Sequence, residues 1–386
     1  MRIAFVTSTF PSKELPSLGI FNYRAIKSIN NHCTVHVYKL RTWKPFRPLF
    51  ADTEFDGIPV TEVFVPHIPV LGTLNYLLFV ATCYVILRKK LTRHRYDILY
   101  SSYYSLSGMA CAGIANKTGL KHVAHIIGSD INSDLPRWLK YGVAGMLSRG
   151  THAVVSVSEA LKKKFNELLP AISNITVLYR GIDISVFKAS PIPRSTDTNF
   201  LFMGGFPNGI GDDGINLKGG ITLLEIWEEN EEAFHDRGFK LSIAGHQTEK
   251  KEVQSWYKKL KYPEQVTIQG MIDQPAVIRL IQSSHIILIP SLAEGLPNLA
   301  VEAAALGRIV IGSDVGGIPE IVQHNETGII IPSHNKQALL DAMLELSNNK
   351  KDWDKMAQAA RQRVETHFDS RNFAPALLKV FKQQLN

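Results

Sequence analysis

The sequence predicts an α/β protein built from two doubly wound domains, each with a parallel sheet. Short runs rich in β-branched and aromatic residues alternate with helical segments, which is typical of parallel α/β units. The alternation occurs in two successive series, separated at residues 187–199 by the aperiodic segment FKASPIPRSTDTN. A chain of 386 residues is long enough for about two to three domains with cores of their own.

The predicted strands follow from these runs. The first series reads RIAFVTS, TVHVYKL, DILYSSY, KHVAHIIG and AVVSVS, and the second reads TNFLFMGG, KLSIAGH, VTIQG, HIILIP and RIVIGSD. Helical patterns at 158–169 and 220–234 lie between them. We therefore predict a first domain at 1–187 and a second at 188–369. The final helix near 370–386 could pack on either domain, including back on the first.

Composition excludes several classes of protein. Charged residues are 20% and hydrophobic residues 45%, which is typical of a globular chain. The opening MRIAFVTSTF lacks the features of a signal peptide, and Cys33, Cys83 and Cys111 form no CxxC pair. We expect a cytoplasmic protein without a disulfide framework. The histidines form no i, i+4 pair with a nearby acid and Asp212-Asp213 lack a D-x-D spacing, so neither a metal nor another cofactor is expected.

Two glutamates stand eight positions apart in PSLAEGLPNLAVEAAALG, residues 290–307. Glu294 follows the buried strand at 285–290, where parallel sheets bind ligands. Glu302 lies inside a helix that Pro297 begins and Gly307 ends. Because that helix is otherwise apolar, a buried Glu302 needs a partner. A capping acid and a solvated helix position are the alternative interpretations of these two residues.

The glycine-rich stretch at 204–220 follows a strand and precedes a helix, and Lys218 stands just before that helix. Unpaired amides, the helix dipole and a lysine together suit a phosphate group. A polar surface loop is the alternative. The stretch matches neither a P-loop nor the GxGxxG fingerprint.

Together these motifs resemble the retaining glycosyltransferases of family 4, which have the GT-B fold of two facing Rossmann-like domains. EGLPNLAVEA matches that family's E-x7-E pattern. Further matches in the second half are GSDVGGIPEIVQHNETGIII, Lys218-Gly219 and VLYRGIDISVF. The first half resembles bacterial members that build surface polysaccharides, through SLGIFNYRAIKSI, IIGSDIN and VSVSEALKKKF.

The resemblance implies a nucleotide-sugar donor, with UDP favoured, and a glycan or lipid-linked acceptor. It implies retention of anomeric configuration. No requirement for metal is expected, because Lys218 and the helix N-termini can do what Mg²⁺ does in metal-dependent transferases. Glu294 would hold the transferred sugar, Glu302 the ribose hydroxyls, and Lys218 the diphosphate, so Glu294 and Lys218 are the predicted catalytic residues. The other residues implied on the donor side are Gly204, Gly205, Arg180, Gly270, Gly295, Leu296, Pro297, Asn298 and Leu299, and those on the acceptor side are Gly19, His125 and Asp130.

The sequence departs from the family pattern at two places. Gly205 stands where many relatives carry a phosphate-binding arginine, so Arg180 is a candidate second cation, with a surface arginine as the alternative. Ile127 replaces a histidine found near the reacting carbon in many relatives. His125 could take that role or be a histidine of the strand core, and Asp130 could contact the acceptor or cap a turn.

The net charge of +8 bears on partners. Basic and aromatic residues interleave at 38–50, and an apolar segment at 76–95 ends in six basic residues. The apolar core of this segment, about a dozen residues, is too short to span a bilayer, which needs roughly 20. It could be a packed core helix or a helix at an anionic membrane surface. Nucleic acid is not an expected partner, because no recognised binding module accompanies the charge.

Two other classes of function stay open. A sugar-nucleotide isomerase of the 2-epimerase type shares the two-domain fold but usually lacks this form of E-x7-E. A nucleotide-sugar-binding protein without catalysis would be compatible with Gly205 and Ile127.

Overall fold

The computed structural model describes residues 1–15, 18–43, 48–66, 72–140, 142–206 and 217–386, and for 72–77 only the backbone. Lys44, Phe46 and Arg47 of the basic segment lie outside the described residues. So does the greater part of the glycine-rich loop, with Asp212 and Asp213.

The chain forms two compact units. Residues 1–180 and 371–386 make up the first unit, and residues 181–370 make up the second. The boundary thus lies earlier than the predicted domain end at residue 187. The reason is that the segment after Arg180 packs on the second unit, where Ile182 forms a β-bridge with Asp369 and its amide donates to the carbonyl of Phe368 (2.9 Å).

The first unit is built on an eight-stranded sheet with the order β3-β4-β2-β1-β5-β6-β7-β8. All neighbouring strands are parallel except the hairpin of β3 and β4. That hairpin turns at Asp56 and Gly57, both with positive φ, which is the conformation of a tight two-residue turn. The strands are β1 Arg2–Thr7, β2 Thr34–Thr42, β3 Phe50–Phe55, β4 Ile58–Val65, β5 Ile98–Ser102, β6 Lys121–Ile126, β7 Ala153–Ser156 and β8 Ile175–Val177.

Helices cover both faces of this sheet. One core includes strand residues such as Ile3, Phe5 and Val37 together with residues of the first and final helices, and a second core faces the helix at Gly72–Leu91. The final helix, whose position the sequence left open, therefore belongs to the first unit. The helices are α1 Ile20–Asn30, α2 Gly72–Leu91, α3 Met109–Thr118, α4 Leu135–Leu139, α5 Ala144–Gly150, α6 Glu159–Leu168 and, at the chain end, α15 Phe373–Leu385.

The second unit has a six-stranded parallel sheet with the order β11-β10-β9-β12-β13-β14. Its strands are β9 Thr198–Met203, β10 Phe239–Ala244, β11 Val266–Gln269, β12 Ile286–Ile289, β13 Ile309–Ser313 and β14 Gly328–Ile331. Its helices are α7 Gly220–Glu229, α8 Glu231–Asp236, α9 Lys251–Lys259, α10 Gln274–Gln282, α11 Asn298–Ala305, α12 Ile318–Ile321, α13 Lys336–Asn348 and α14 Trp353–His367.

The strand order jumps from β9 to β12 at the middle of this second sheet, which makes a topological switch point. Loops diverge to opposite faces there, and open α/β sheets bind ligands at the carboxyl ends of such strands. The two doubly wound units confirm the predicted fold class. One predicted helix differs, because 220–234 is divided at Asn230 into α7 and α8.

Candidate active site

Glu294 lies in the loop between β12 and α11, at the switch point of the second unit. β12 is buried along its whole length, so the chain leaves the sheet interior directly into this loop. Pro297 stands at the N-cap position, one residue before the helix rather than inside its first turn as predicted, and no side chain caps α11 there. The Ala300 amide donates to the Pro297 carbonyl (3.1 Å), so the amides of Asn298 and Leu299 are the ones this helix start can offer to a ligand.

Lys218 and Ser291 both donate to the same oxygen of Glu294. The Lys218 Nζ lies 2.7 Å from Glu294 Oε1, and the Ser291 Oγ lies 2.8 Å from it. The Glu294 side chain is only 10% exposed, whereas that of Lys218 is 39% exposed. A nearly buried carboxylate is thus fixed in direction by two donors, one of which reaches solvent. The predicted catalytic pair is in direct contact.

Two neighbouring loops fix the backbone around Glu294. A Cβ atom on Gly316, which has φ +54°, would lie 2.2 Å from the Glu294 carbonyl oxygen, and the Gly317 amide donates to the Gly295 carbonyl (2.8 Å). On the Lys218 side, the amide of Leu292 donates to the carbonyl of Leu217 (2.8 Å). The GSDVGG stretch, known from sequence only as part of the family pattern, thus supports the Glu294 loop.

These residues surround a cavity of about 250 Å³ at the carboxyl ends of β9 and β12. Seven of the predicted donor-side and catalytic residues contribute to its lining, and five further residues complete it. The predicted ones are Gly204, Lys218, Glu294, Leu296, Pro297, Asn298 and Leu299, and the additional ones are Phe202, Met203, Leu288, Ile289 and Ser291. A cation, a carboxylate and a helix N-terminus therefore converge on one polar cavity.

Other predicted donor residues lie outside this lining. Glu302 is half-buried on α11, and Gly295 accepts the bond from Gly317 described above. Gly270 accepts a hydrogen bond from the amide of Gly245 (3.1 Å). Gly205 has φ +66°, and a Cβ there would lie 2.2 Å from the carbonyl oxygen of His246. This close approach of two loops explains why a glycine, and not an arginine, occupies that position.

In the first unit, Gly19 begins α1 with φ +70°, and a Cβ on it would lie 2.5 Å from the carbonyl carbon of Thr9. The buried Asn22, one turn further on, donates to Thr7 Oγ1 (3.0 Å) and to the Thr9 carbonyl (2.8 Å). Its Oδ1 accepts from Ser102 Oγ (2.9 Å). Asn22, which sequence reasoning missed, thus ties together the carboxyl ends of β1 and β5.

Asp130 and His125 are both buried. The carboxylate of Asp130 accepts from the amides of Gly128 (2.8 Å), Tyr104 (2.9 Å) and Ile127 (3.2 Å), so it holds two loops in place in the manner of a turn cap. His125 Nδ1 lies 2.5 Å from the hydroxyl of Tyr100. Burial holds the pKa of His125 well below its ordinary value. Of the two interpretations of His125, the structure favours the histidine of the strand core.

Arg180, the last residue of the first unit, is half-buried and is not a surface arginine. Its guanidinium carbon lies 4.5 Å from the ring centroid of Phe21. Its Nε and Nη2 are buried and have no hydrogen-bond partner among the residues that the structure describes. Burial lowers its pKa to about 10, so it stays cationic at neutral pH. The assignment of Arg180 to the donor phosphates stays a prediction.

The basic segment at 38–50 is more buried at its start than a membrane-binding surface would be. Lys39 is buried, and the half-buried Arg41 donates to Glu62 Oε1 (2.9 Å). Lys39 is therefore not available to a membrane surface, whereas the Arg41 side chain is 34% exposed. A membrane role for this segment stays a prediction. In the described part of the chain, no helix has an apolar stretch that would cross a bilayer. Within the same part, no group of three or more metal-ligating side chains is assembled.

Comparisons with known proteins agree with this geometry. Residues 28–186 match the family model Glycosyltransferase Family 4, and residues 215–363 match the model Glycosyl transferases group 1. An uncharacterized glycosyltransferase of Methanocaldococcus jannaschii is 25% identical over 307 residues, 78% of each chain. TuaC of Bacillus subtilis, named as a glycosyltransferase of teichuronic acid biosynthesis, is 24% identical over 98% of this chain and 97% of its own.

Two solved structures show the same fold. Sucrose-phosphate synthase from Thermosynechococcus elongatus superposes with a TM-score of 0.77 at 16% identity, over 99% of this chain and 98% of its own. HepE of Anabaena in complex with UDP gives 0.72 at 17% identity, over 99% of this chain and 100% of its own. The two family models and the shared fold together identify a glycosyltransferase of GT-B type. The chain belongs to glycosyltransferase family 4.

Proposed function

We propose that this protein transfers a sugar from a nucleoside diphosphate sugar, with UDP favoured, to a glycan or lipid-linked acceptor in bacterial cell-surface polysaccharide synthesis. The transferred group is a hexosyl unit, the anomeric configuration is retained, and no metal is required. The observation that carries the proposal is the Lys218–Glu294 pair, joined by an ion pair of 2.7 Å beside the uncapped N-terminus of α11.

The charges of this pair suit the proposed reaction. Breaking the anomeric C–O bond leaves negative charge on the diphosphate and positive charge on the sugar ring. Lys218 and the amides at the start of α11 stabilise the first, and the carboxylate of Glu294 stabilises the second. A lysine and a helix dipole supply the positive charge that a divalent cation supplies in other transferases, which supports the proposed independence from metal.

The choice of donor and acceptor class draws on relatives. Solved structures of Anabaena HepE are complexes with UDP and with UDP-glucose, and these share the fold of this chain. TuaC is named for teichuronic acid synthesis, and AmsK of Erwinia amylovora is named for amylovoran synthesis. Both names refer to the making of a polysaccharide, which supports the proposed role.

Nucleotide binding and turnover test the proposal directly. Thermal unfolding is measured with UDP, GDP and ADP and with their common sugars, and release of the nucleotide is then followed with and without glycan acceptors. We expect UDP to raise the unfolding temperature most. Stabilisation without turnover would favour the binding-protein alternative. Epimerisation of UDP-N-acetylglucosamine in the absence of any acceptor would favour the isomerase.

We further propose that α2 places the first unit on an anionic membrane surface. Cys83, Leu87 and Leu91 bury one side of this helix. Leu78 (40% exposed) and Val85 (63% exposed) lie on the other side. Exposed basic residues continue that side and the turn beyond it, namely Arg88, Lys89, Arg93 and Arg95. Each cation near such a surface contributes on the order of 1 kcal/mol.

Co-sedimentation with vesicles tests this surface. Changing Lys89, Arg93 and Arg95 together to Ser should abolish most binding to phosphatidylserine-containing vesicles at low salt, without changing UDP affinity. Lys90 is left in place, because it lies over the ring of Phe50 (5.0 Å) and its loss would disturb packing.

The matched control removes the same charge from the exposed residues Lys251, Lys258 and Lys259 of the second unit. Binding should weaken as salt rises, since the Debye length is about 8 Å at physiological ionic strength. Equal sedimentation with neutral and anionic vesicles would contradict the proposal.

A further inference from the structure

The first unit contains a cavity of about 490 Å³ that the proposed donor site does not use. The segment after β1 at residues 11–14 forms one wall, and strands β2, β3 and β4 form the other. The volume is in the range of small-molecule sites, about 300–1,000 Å³. The side chains that matter for its chemistry are Glu14, Lys39, Glu54, Phe55 and Glu62.

The floor of this cavity carries charge where the sheet is otherwise apolar. In the register of β2 with β4, Val37 pairs with Val60, and two residues further along the same face Lys39 pairs with Glu62. The apolar pair belongs to the core under α1 and α15. The charged pair lies in the cavity wall next to Val60, so this part of the sheet places a cation and a carboxylate at the cavity.

Lys39 is the unusual member of this pair. Its side chain is 1% exposed, and its Nζ has no hydrogen-bond partner among the described residues. The nearest carboxylate oxygen, Oε1 of Glu62, is 3.9 Å away and is already bonded to Arg41 (2.9 Å). Burial lowers the pKa of this ammonium group. A buried cation without hydrogen bonds is costly, so its donors suit a ligand that enters the cavity.

The balance of charge indicates which ligand. Of the four lining carboxylates, Asp56 and Glu62 are already ion-paired with Lys27 and Arg41. The other two, Glu14 and Glu54, are balanced by Lys13 and Lys39, so the lining favours a neutral ligand over a phosphate or a carboxylate. Hydroxyl groups can both donate to carboxylates and accept from an ammonium group, and Phe55 and Val60 add an apolar surface. Such a mixture of groups fits the polar rim and apolar face of a pyranose.

We propose that this cavity is a subsite for a neutral pyranose unit of the acceptor, in which Lys39 donates to a hydroxyl or ring oxygen. The inference rests on the proposed function, since a sugar acceptor presupposes glycosyl transfer. It adds that the acceptor presents a neutral sugar, and it names the residues that contact this sugar.

Ligand-observed NMR on the full chain tests the subsite. The probes are the methyl glycosides of glucose, galactose, mannose and N-acetylglucosamine, each titrated up to concentrations well above the roughly millimolar dissociation constants of weak sites. Lys39→Met removes the donors and keeps an unbranched buried chain. The matched control is Lys117→Met, the same change at an exposed position of α3. We expect at least one glycoside to bind wild type and the control equally, and Lys39→Met to bind it about tenfold more weakly.

The following results would overturn the inference. Binding of no glycoside to wild type, or equal binding to Lys39→Met, removes the subsite. Tighter binding of inorganic phosphate or methyl glucuronide than of any neutral glycoside shows an anion pocket. Should Lys39→Met fail to fold, Glu54→Gln, an exposed lining residue, serves as the second variant and should also weaken binding.

UDP binding is measured on the same samples to separate the two proposals. Glycoside binding that depends on Lys39, without any nucleotide binding, refutes the donor assignment alone. Nucleotide binding with turnover, but no glycoside effect of Lys39→Met, refutes the subsite alone.

Discussion

The charge of Glu294 is the feature of the site whose contribution can be worked out most directly. Glu294→Gln keeps the shape of the side chain and leaves an oxygen that accepts from Ser291 and Lys218 at the distances seen here, 2.8 and 2.7 Å. What it removes is the negative charge facing the sugar ring as positive charge develops there. The expected effect is therefore on turnover, with little effect on folding.

The magnitude follows from Coulomb's law. A full charge at about 4 Å in an effective dielectric of about 20 is worth about 4 kcal/mol. The ring charge is only partly developed, and Lys218 already offsets part of the carboxylate. About 3 kcal/mol then remains for the transition state, which corresponds to roughly a 10²-fold loss of turnover. This agrees with the about 10²–10³-fold cost of losing one preorganised electrostatic group.

The assay is release of UDP from the preferred donor under saturating conditions, with UDP affinity and thermal unfolding measured in parallel. Glu326→Gln is the matched control, the same charge change on an exposed turn of the same unit. We expect the control to match wild type and Glu294→Gln to bind UDP normally while turning over slowly. Turnover within a factor of about three of wild type would show that Glu294 does not stabilise the transition state, since that factor corresponds to under about 1 kcal/mol.

Three further predictions concern the same site. Gly316→Ala should destabilise the fold by well over 1 kcal/mol and lower turnover, because its Cβ would collide with the Glu294 carbonyl. Gly119→Ala, at φ +76° with no atom within 4 Å, should cost only about 1 kcal/mol and leave turnover intact; equal costs for the two would refute the steric argument. An α-linked donor should give an α-linked first product, read by NMR from its anomeric coupling, and a β-linked product would contradict retention. Prolonged treatment with EDTA should leave transfer unchanged, and loss of activity restored by Mg²⁺ or Mn²⁺ would refute metal independence.

The parts of this site that the sequence could predict are those fixed by local rules. Glu294 follows an apolar strand and precedes a helix start, so its place at the sheet edge follows from strand and helix signals alone. Lys218 likewise stands before a helix. Their direct ion pair depends on β9 and β12 being neighbours in the sheet, which no local pattern encodes.

The residues that were missed act through contacts that no local sequence pattern reveals. Ser291 resembles any loop serine until its hydroxyl is seen on Glu294. Gly316 reads as one glycine among many until its approach to the Glu294 carbonyl is known. The β3–β4 hairpin is different, because Asp56-Gly57 between two alternating runs is a recognisable turn signal that the sequence analysis did not use. Lys39 was expected near a surface because it stands among aromatic residues, yet both faces of this sheet are covered and the lysine is buried.

The exposure of the two partners indicates how the Lys218–Glu294 pair can serve a charged substrate. A fully buried pair would be costly to open, because each charge would lose its only partner in a medium of low dielectric. Lys218 is more than a third exposed, so water screens its attraction to the carboxylate and the contact is worth little to stability. In the proposed reaction the ammonium can therefore turn towards a diphosphate at small cost. Glu294, nearly buried and held by Ser291, stays fixed in direction, and a carboxylate that does not need to reorient is the better stabiliser of a short-lived positive charge.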